Sequence, residues 1–200
     1  MRQYTIKKVS GPIDWDQIPE LDVDNYQWGE ELDIKMKTQI CYDETGLHLH
    51  MRAWEKNIRA VHTGEMLPVC EDSCMEFFFR PMEGDLRYFN LEINPNGRMY
   101  IGFGPNMPLL VRLAIQEEDT QLKKQYHYTD YGWEVFYTFP VSVIQVFFPG
   151  YELKSGMKIY ANSYKCGDEC VIPHFISWNY VDVPEPSFHQ PEHYGLMILE

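Results

Sequence analysis

The chain has 200 residues, 44% hydrophobic and 15% aromatic, enough for a packed core and too much for disorder. Its 30 Asp and Glu outnumber 17 Lys and Arg, and the net charge of −13 repels phosphate backbones, which excludes nucleic acid as an expected partner. No stretch reaches the ~18 apolar residues of a membrane span, and Met1 to Lys8 lacks the apolar run of a signal peptide, so the chain is expected to be cytoplasmic, or secreted if a leader precedes it.

Period-2 alternation dominates from the first third onward. Ile34 to Tyr42 and Leu47 to Trp54 alternate apolar and polar residues around the turn signal Asp43-Glu44-Thr45-Gly46, which predicts a β-hairpin. Ser73 to Phe79 is the next predicted strand, then Leu86 to Ile93. Asn94-Pro95-Asn96-Gly97 predicts a tight turn, and Met99 to Phe103 the returning strand. Gln121 to Thr129 and Trp133 to Phe139 flank Asp130-Tyr131-Gly132 as a second hairpin. Pro140 opens Val141 to Phe148, read as a short helix with Pro near its start. Lys158 to Lys165, Phe175 to Trp178 and Tyr194 to Leu199 complete the strands, with Pro-rich loops at Gly104 to Pro108 and Pro184 to Pro191. About ten strands without crossover helices predict one all-β domain over residues 1–200, an antiparallel β-sandwich of jelly-roll or immunoglobulin-like type with at most short helical turns.

The chemistry-bearing residues narrow the function. No glycine-rich phosphate loop, no Gly-x-Ser-x-Gly elbow and no His-Glu-x-x-His helix is present. The odd count of five cysteines reads as reduced thiols. Cys70/Cys74 and Cys166/Cys170 share one spacing, but it is not the tight spacing of zinc knuckles. His48 and His50 share a strand face, expected to be exposed; as a metal pair they would lack a third ligand. The acidic balance suits a neutral ligand such as a sugar and could hold a hard cation such as calcium.

Side chains two apart on a strand point the same way, so Asn90, Glu92 and Asn94 line one face and Phe89, Leu91 and Ile93 the other. Amide, carboxylate and amide in a row offer the donors and acceptors that vicinal hydroxyls require. Glu76 sits on the preceding strand. Tyr160, Asn162 and Tyr164 share a face further on. If these strands are neighbours, Glu76, Asn90, Glu92 and Asn162 converge; otherwise they are an ordinary solvated sheet face. Phe188, between prolines, either stacks on the C–H face of a pyranose or folds onto the sandwich edge. His174 and His189 are further candidates. Glu76 and Glu92 could also serve as a glycosidase pair, and the ten methionines and seven histidines leave a haem ligand open.

The ordered series resembles carbohydrate-binding module family 9 and its family-9-like relatives among the DOMON-type sandwiches. It runs Ile13-Asp14-Trp15, Glu71-Asp72-Ser73-Cys74-Met75-Glu76-Phe77-Phe78, Tyr88 to Gly97, Gly132-Trp133-Glu134-Val135, Asn162 to Asp168, Ser177-Trp178 and Phe188 to Gly195. The resemblance implies a sandwich, no catalysis and often a structural calcium. It also implies a sugar end clamped by two tryptophans, with polar help from adjacent strands. Glu76, Asn90, Glu92 and Asn162 fall on the polar positions. Phe188 replaces one clamp tryptophan. Cys70 or Val69 stands at the other, so no aromatic is there, a loss worth ~1 kcal/mol or more. Trp178 is expected in the core. The expected partner is a mono- or oligosaccharide, with neither nucleic acid nor membrane, and a DOMON-like haem- or protein-binding module is a further alternative.

Overall fold

The computed structural model describes residues 1–64, 66–115 and 122–200. The strands in chain order are β1 (Gln3–Lys8), β2 (Glu20–Val23), β3 (Lys35–Tyr42), β4 (Gly46–Trp54), β5 (Cys74–Arg80), β6 (Tyr88–Ile93) and β7 (Met99–Gly104). They continue with β8 (Val111–Arg112), β9 (Lys124–Thr129), β10 (Gly132–Pro140), β11 (Lys158–Gly167), β12 (His174–Ser177) and β13 (Gly195–Leu199). The short helix α1 spans Val141–Phe147, where the proline-opened segment predicted it. Gln121, the expected start of β9, lies outside the described residues.

The strand order is β8-β7-β6-β5-β11-β13-β1-β3-β4-β10-β9, with β12 on β11 and β2 on β3. The path curls into two facing sheets. The ladders among the described residues are antiparallel, as expected, apart from the two made by β1. That strand pairs in parallel with β13 through Gln3 to Ile6 and then with β3 through Lys7 and Lys8. It therefore passes from one sheet to the other and joins them. Its few apolar residues, Tyr4 and Ile6, gave too short a pattern to be read from sequence.

Alternation sends Met75, Phe77 and Phe79 of β5 and Leu91 and Ile93 of β6 inward, against Leu49 and Met51 of β4 and Val135 and Phe139 of β10. Trp178 joins this core, 4% exposed, as expected. At the β6–β7 turn Gly97 takes φ +68°, a conformation costly for any residue with a Cβ. A polar seam crosses the sandwich interior. Lys165 Nζ of β11 meets Glu55, just past β4, at 3.2 Å, with Lys165 fully buried and Glu55 4% exposed. Trp133 Nε1 donates to Glu55 Oε1 at 2.8 Å and Ser73 Oγ to Oε2 at 3.0 Å. Beside it, Thr38 Oγ1 and Ser163 Oγ lie 2.8 Å apart, bridging β3 and β11.

A second apolar layer covers the outer face of the β5–β6–β11 sheet. Cys74, Phe78, Tyr88, Tyr164 and Cys166 lie there beneath Val181, Phe188 and Tyr194 of the C-terminal segment. The other outer face corrects one expectation. His48 and His50 are buried, not exposed. The segment carrying Trp15 and Ile18 folds across them, held by Gln39 Nε2 donating to both backbone carbonyls at 2.6 and 2.8 Å. The His50 ring stacks on Phe136 at 3.9 Å and bonds Glu134 at 3.0 Å. Strand periodicity cannot report a loop folded over a face. All five cysteines are free thiols.

A buried charge pair loses more when one partner is removed than when both go. Lys165→Met is expected to destabilise the protein by about 3–5 kcal/mol, because it strands Glu55. Adding Glu55→Gln should recover a large part. Denaturant midpoints of the two variants check this; equal midpoints for Lys165→Met and wild type would contradict it.

Candidate functional site

The register of three neighbouring strands builds the site. On the outer face Glu76 of β5 stands opposite Glu92 of β6 and Tyr164 of β11. One step along, Phe78 stands opposite Asn90 and Asn162. The strands are neighbours, as the site required. Glu76, Glu92, Phe188 and His189 line one pocket of about 210 Å³. Cys70, Cys166, Asp168 and Phe175 complete its polar floor and aromatic wall. Of the two positions considered for the missing clamp aromatic, Cys70 faces the pocket, whereas Val69 is fully buried in the layer beneath.

Like charges directly opposed across a ladder destabilise each other, and burial adds to the effect. Burial, and then Glu92, push the Glu76 carboxyl well above its ordinary value. Burial, and then Asp168, push Glu92 up to about 8. Cys166 Sγ donates to Glu76 Oε1 at 2.9 Å, and Asn90 Nδ2 to Glu92 Oε1 at 2.6 Å. Partial burial of its carboxyl, then Glu71 and Glu169, raise Asp168 at the rim, and hydrogen bonds with Cys70 and Cys166 work against that rise. A Cβ on Gly102 would fall 2.2 Å from Asn90 Oδ1, so glycine there makes room for the amide that holds Glu92.

The remaining candidates divide. Asn90 is fully buried behind Glu92 and positions it. Asn162 shares the face, but its amide is spent on the chain: Nδ2 donates to Asn179 O at 2.9 Å, and Oδ1 accepts from the Asn179 and Ser163 amides at 2.8 and 3.0 Å. It anchors the covering segment and does not line the pocket. His174 points elsewhere, towards Lys165 at 3.0 Å, and lines a separate cavity with Glu55. His189 packs on Phe78 and bonds Tyr88 Oη through Nδ1 at 2.8 Å; burial pulls it down to about 4. Phe188 is 7% exposed, its ring stacked on Tyr164 at 4.0 Å, so only its edge reaches the pocket. Phe175, which sequence reasoning missed, is half-buried and turns to the same pocket from β12. Its place in a predicted short strand was visible; its pairing with Cys166, which sets its face, was not.

Calcium prefers oxygen donors alone. The group of three Cys, His, Asp or Glu donors that converges among the described residues holds two thiols, Cys74 and Cys166, with Glu76. That set does not fit calcium.

The sequence profile of carbohydrate-binding family 9 matches residues 8–199. The chain belongs to carbohydrate-binding family 9. Among solved structures it is similar to a candidate carbohydrate-binding protein from Bacteroides uniformis ATCC 8492, with 29% identity, TM-score 0.87, and coverage of 100% of this chain and 99% of that one. It shares its fold with a family 9 carbohydrate-binding module from Caldicellulosiruptor kristjanssonii in complex with glucose, at 10% identity and TM-score 0.72, covering 100% of this chain and 96% of that one. The cellotriose complex of a family 9 module from that organism gives the same identity and TM-score, with 94% of that chain covered. A search of curated proteins finds no match.

Two variants read the energetics of this floor. Glu92→Gln keeps the shape and removes one of two crowded acids, so it should raise the thermal midpoint at neutral pH, by about 1 kcal/mol of stability. An unchanged or lower midpoint would contradict the crowding. His189 is neutral in the folded protein down to about 4, below the value near 6.5 of an unfolded histidine. The unfolded chain therefore binds its proton first, and stability is lost as pH falls from about 6.5 towards 4, by up to about 3 kcal/mol. His189→Gln should flatten that part of the pH–stability curve, measured by urea unfolding at pH 4.5 and 7.

Proposed function

We propose that this chain binds a monosaccharide or the end of a short oligosaccharide in the pocket on the outer face of the β5–β6–β11 sheet, and does not react with it. The observation that carries the reading is the pairing of an acid floor, Glu76 and Glu92, with an aromatic wall, Phe175 and the Phe188 edge, in one opening. Pyranoses offer an apolar C–H face and an edge of hydroxyls, and the pocket offers a counterpart to each. Membership of carbohydrate-binding family 9 supports the same reading, as do the glucose and cellotriose named for the Caldicellulosiruptor modules of the same fold.

Hydrolysis is disfavoured by the state of the two acids. A glycosidase keeps one carboxyl protonated and the other ionised, on opposite sides of the bond to be cut. Glu76 and Glu92 stand side by side on one floor, and burial raises both. A haem is disfavoured by size: a pocket of about 210 Å³ is small against the roughly 300–1,000 Å³ of ordinary cofactor sites.

Titration calorimetry against glucose, cellotriose and a wider glycan panel tests the proposal. Binding of at least one sugar is expected, weakened about tenfold by Glu76→Gln, which replaces a carboxyl hydrogen-bond partner with an amide. Phe175→Ala should weaken it about five- to tenfold with little change in fold stability. Silence of the wild type across the panel would overturn the reading. Sugar release that vanishes in both Glu76→Gln and Glu92→Gln would overturn the non-catalytic part.

A further inference from the structure

Cys74 and Cys166 come from different sequence pairs, yet they stand directly opposite each other on β5 and β11. Both point to the outer face, with Glu76 two residues along the same strand. Sγ of Cys74, Sγ of Cys166 and a carboxylate oxygen of Glu76 all lie within 4.8 Å of one another. All three residues are buried. Cys166 and Glu76 also line the pocket, so the cluster meets solvent at one point. Asp168 lines the same pocket as Glu76 and Cys166.

We propose that Cys74, Glu76 and Cys166 form a binding site for a thiophilic divalent cation of the zinc class at the floor of the pocket, with Asp168 or a solvent molecule in the fourth position. Two thiolates and a carboxylate are a donor set that zinc accepts and calcium and magnesium avoid. With metal–sulfur bonds of about 2.3 Å and metal–oxygen bonds of about 2.0–2.2 Å, a tetrahedral set places its donors roughly 3.5–3.8 Å apart. The present spacing reaches that with small side-chain rotations. The strands supply the preorganisation, since two of the donors are a cross-strand pair whose backbone does not need to move. A dication also suits this floor, whose lining includes Glu76, Glu92 and Asp168 and no Lys or Arg. The Lys165 ammonium, on the neighbouring residue of β11, faces the opposite side of the strand and is held by Glu55. This site does not depend on the sugar reading, and either can fail alone.

The test uses the full chain, freshly reduced and kept free of oxygen. Cobalt(II) titration should give a thiolate-to-cobalt charge-transfer band saturating at one equivalent, and zinc should displace it. Retention of one zinc per chain after gel filtration, by elemental analysis, is the second readout. Cys74→Ser and Cys166→Ser should each abolish the band, and Glu76→Gln should weaken zinc binding at least tenfold. Cys41→Ser, on β3 and outside the cluster, should leave it intact. No band and no retained zinc in the wild type overturns the proposal. So does a band that survives in the double variant Cys74→Ser, Cys166→Ser. The wild-type titration decides the matter even if a serine variant fails to fold.

Discussion

Between the two sheets, in a polar seam through a mostly apolar interior, Lys165 and Glu55 meet with almost no exposure to water. An ion pair so placed is tolerated only when its remaining hydrogen-bonding capacity is filled. Here it is. Trp133 and Ser73 donate to Glu55, and Lys165 reaches the Cys166 carbonyl at 3.0 Å and His174. The pair fixes more than the distance between sheets. It sets the parity of β11. With Lys165 turned inward, Tyr164 and Cys166 must turn outward, and a slip of one residue would bury Tyr164 in the core and strand the charge. The outer face that carries the pocket is thus specified from inside the sandwich.

Much of that face was legible in the sequence. The alternation of Phe89, Leu91 and Ile93 with Asn90, Glu92 and Asn94 gave the strand and its two faces, and Glu76 followed from the same rule. Convergence depended on β5 lying between β6 and β11, a long-range pairing that local pattern does not encode and that the family resemblance supplied. What stayed hidden follows a single physical cause: periodicity reports which side a residue faces, not what covers that side. Asn162 was correctly placed on the face, yet the covering segment at Asn179 uses its whole amide. His48 and His50 looked like a solvated pair until the Trp15 segment closed over them. Lys165 reads as a strand-end lysine, and only the partner 110 residues earlier makes it interior. The sheet-joining role of β1 was missed for the opposite reason, since too few residues carry the pattern.

Two opposed carboxyls on a buried floor are a poor choice for stability alone. Local rules broken without nearby compensation are expected at functional sites. Burial and neighbouring acids raise the Glu76 and Glu92 carboxyls, and the residues that orient them work against that rise. Asn90 fixes Glu92 by a bond that Gly102 makes room for, and Cys166 fixes Glu76. Held in this way, the acids present either hydrogen-bond donors or a concentrated negative potential, according to what enters the pocket. In the two proposals above, hydroxyls use the first and a cation the second.

The part of the wall that follows β12, residues 178–190, has neither helix nor strand, yet it is tied down at each step. Asn162 holds residue 179, Tyr164 Oη donates to the Phe188 carbonyl at 3.1 Å, and Tyr88 bonds His189. Each tie comes from an outward residue of the sheet, so the wall inherits the rigidity of the strands below. A pocket preorganised in this way loses little conformational entropy on binding, which favours a small ligand with few contacts. Its asymmetry sets the pose. In the proposed sugar complex Phe175 and the Phe188 edge supply aromatic contact and Cys70 supplies none, so the hydroxyl edge turns to Glu76 and Glu92. Orientation by the floor then replaces orientation by a second aromatic, and discrimination between sugars falls to the hydroxyl pattern that two fixed acids can read.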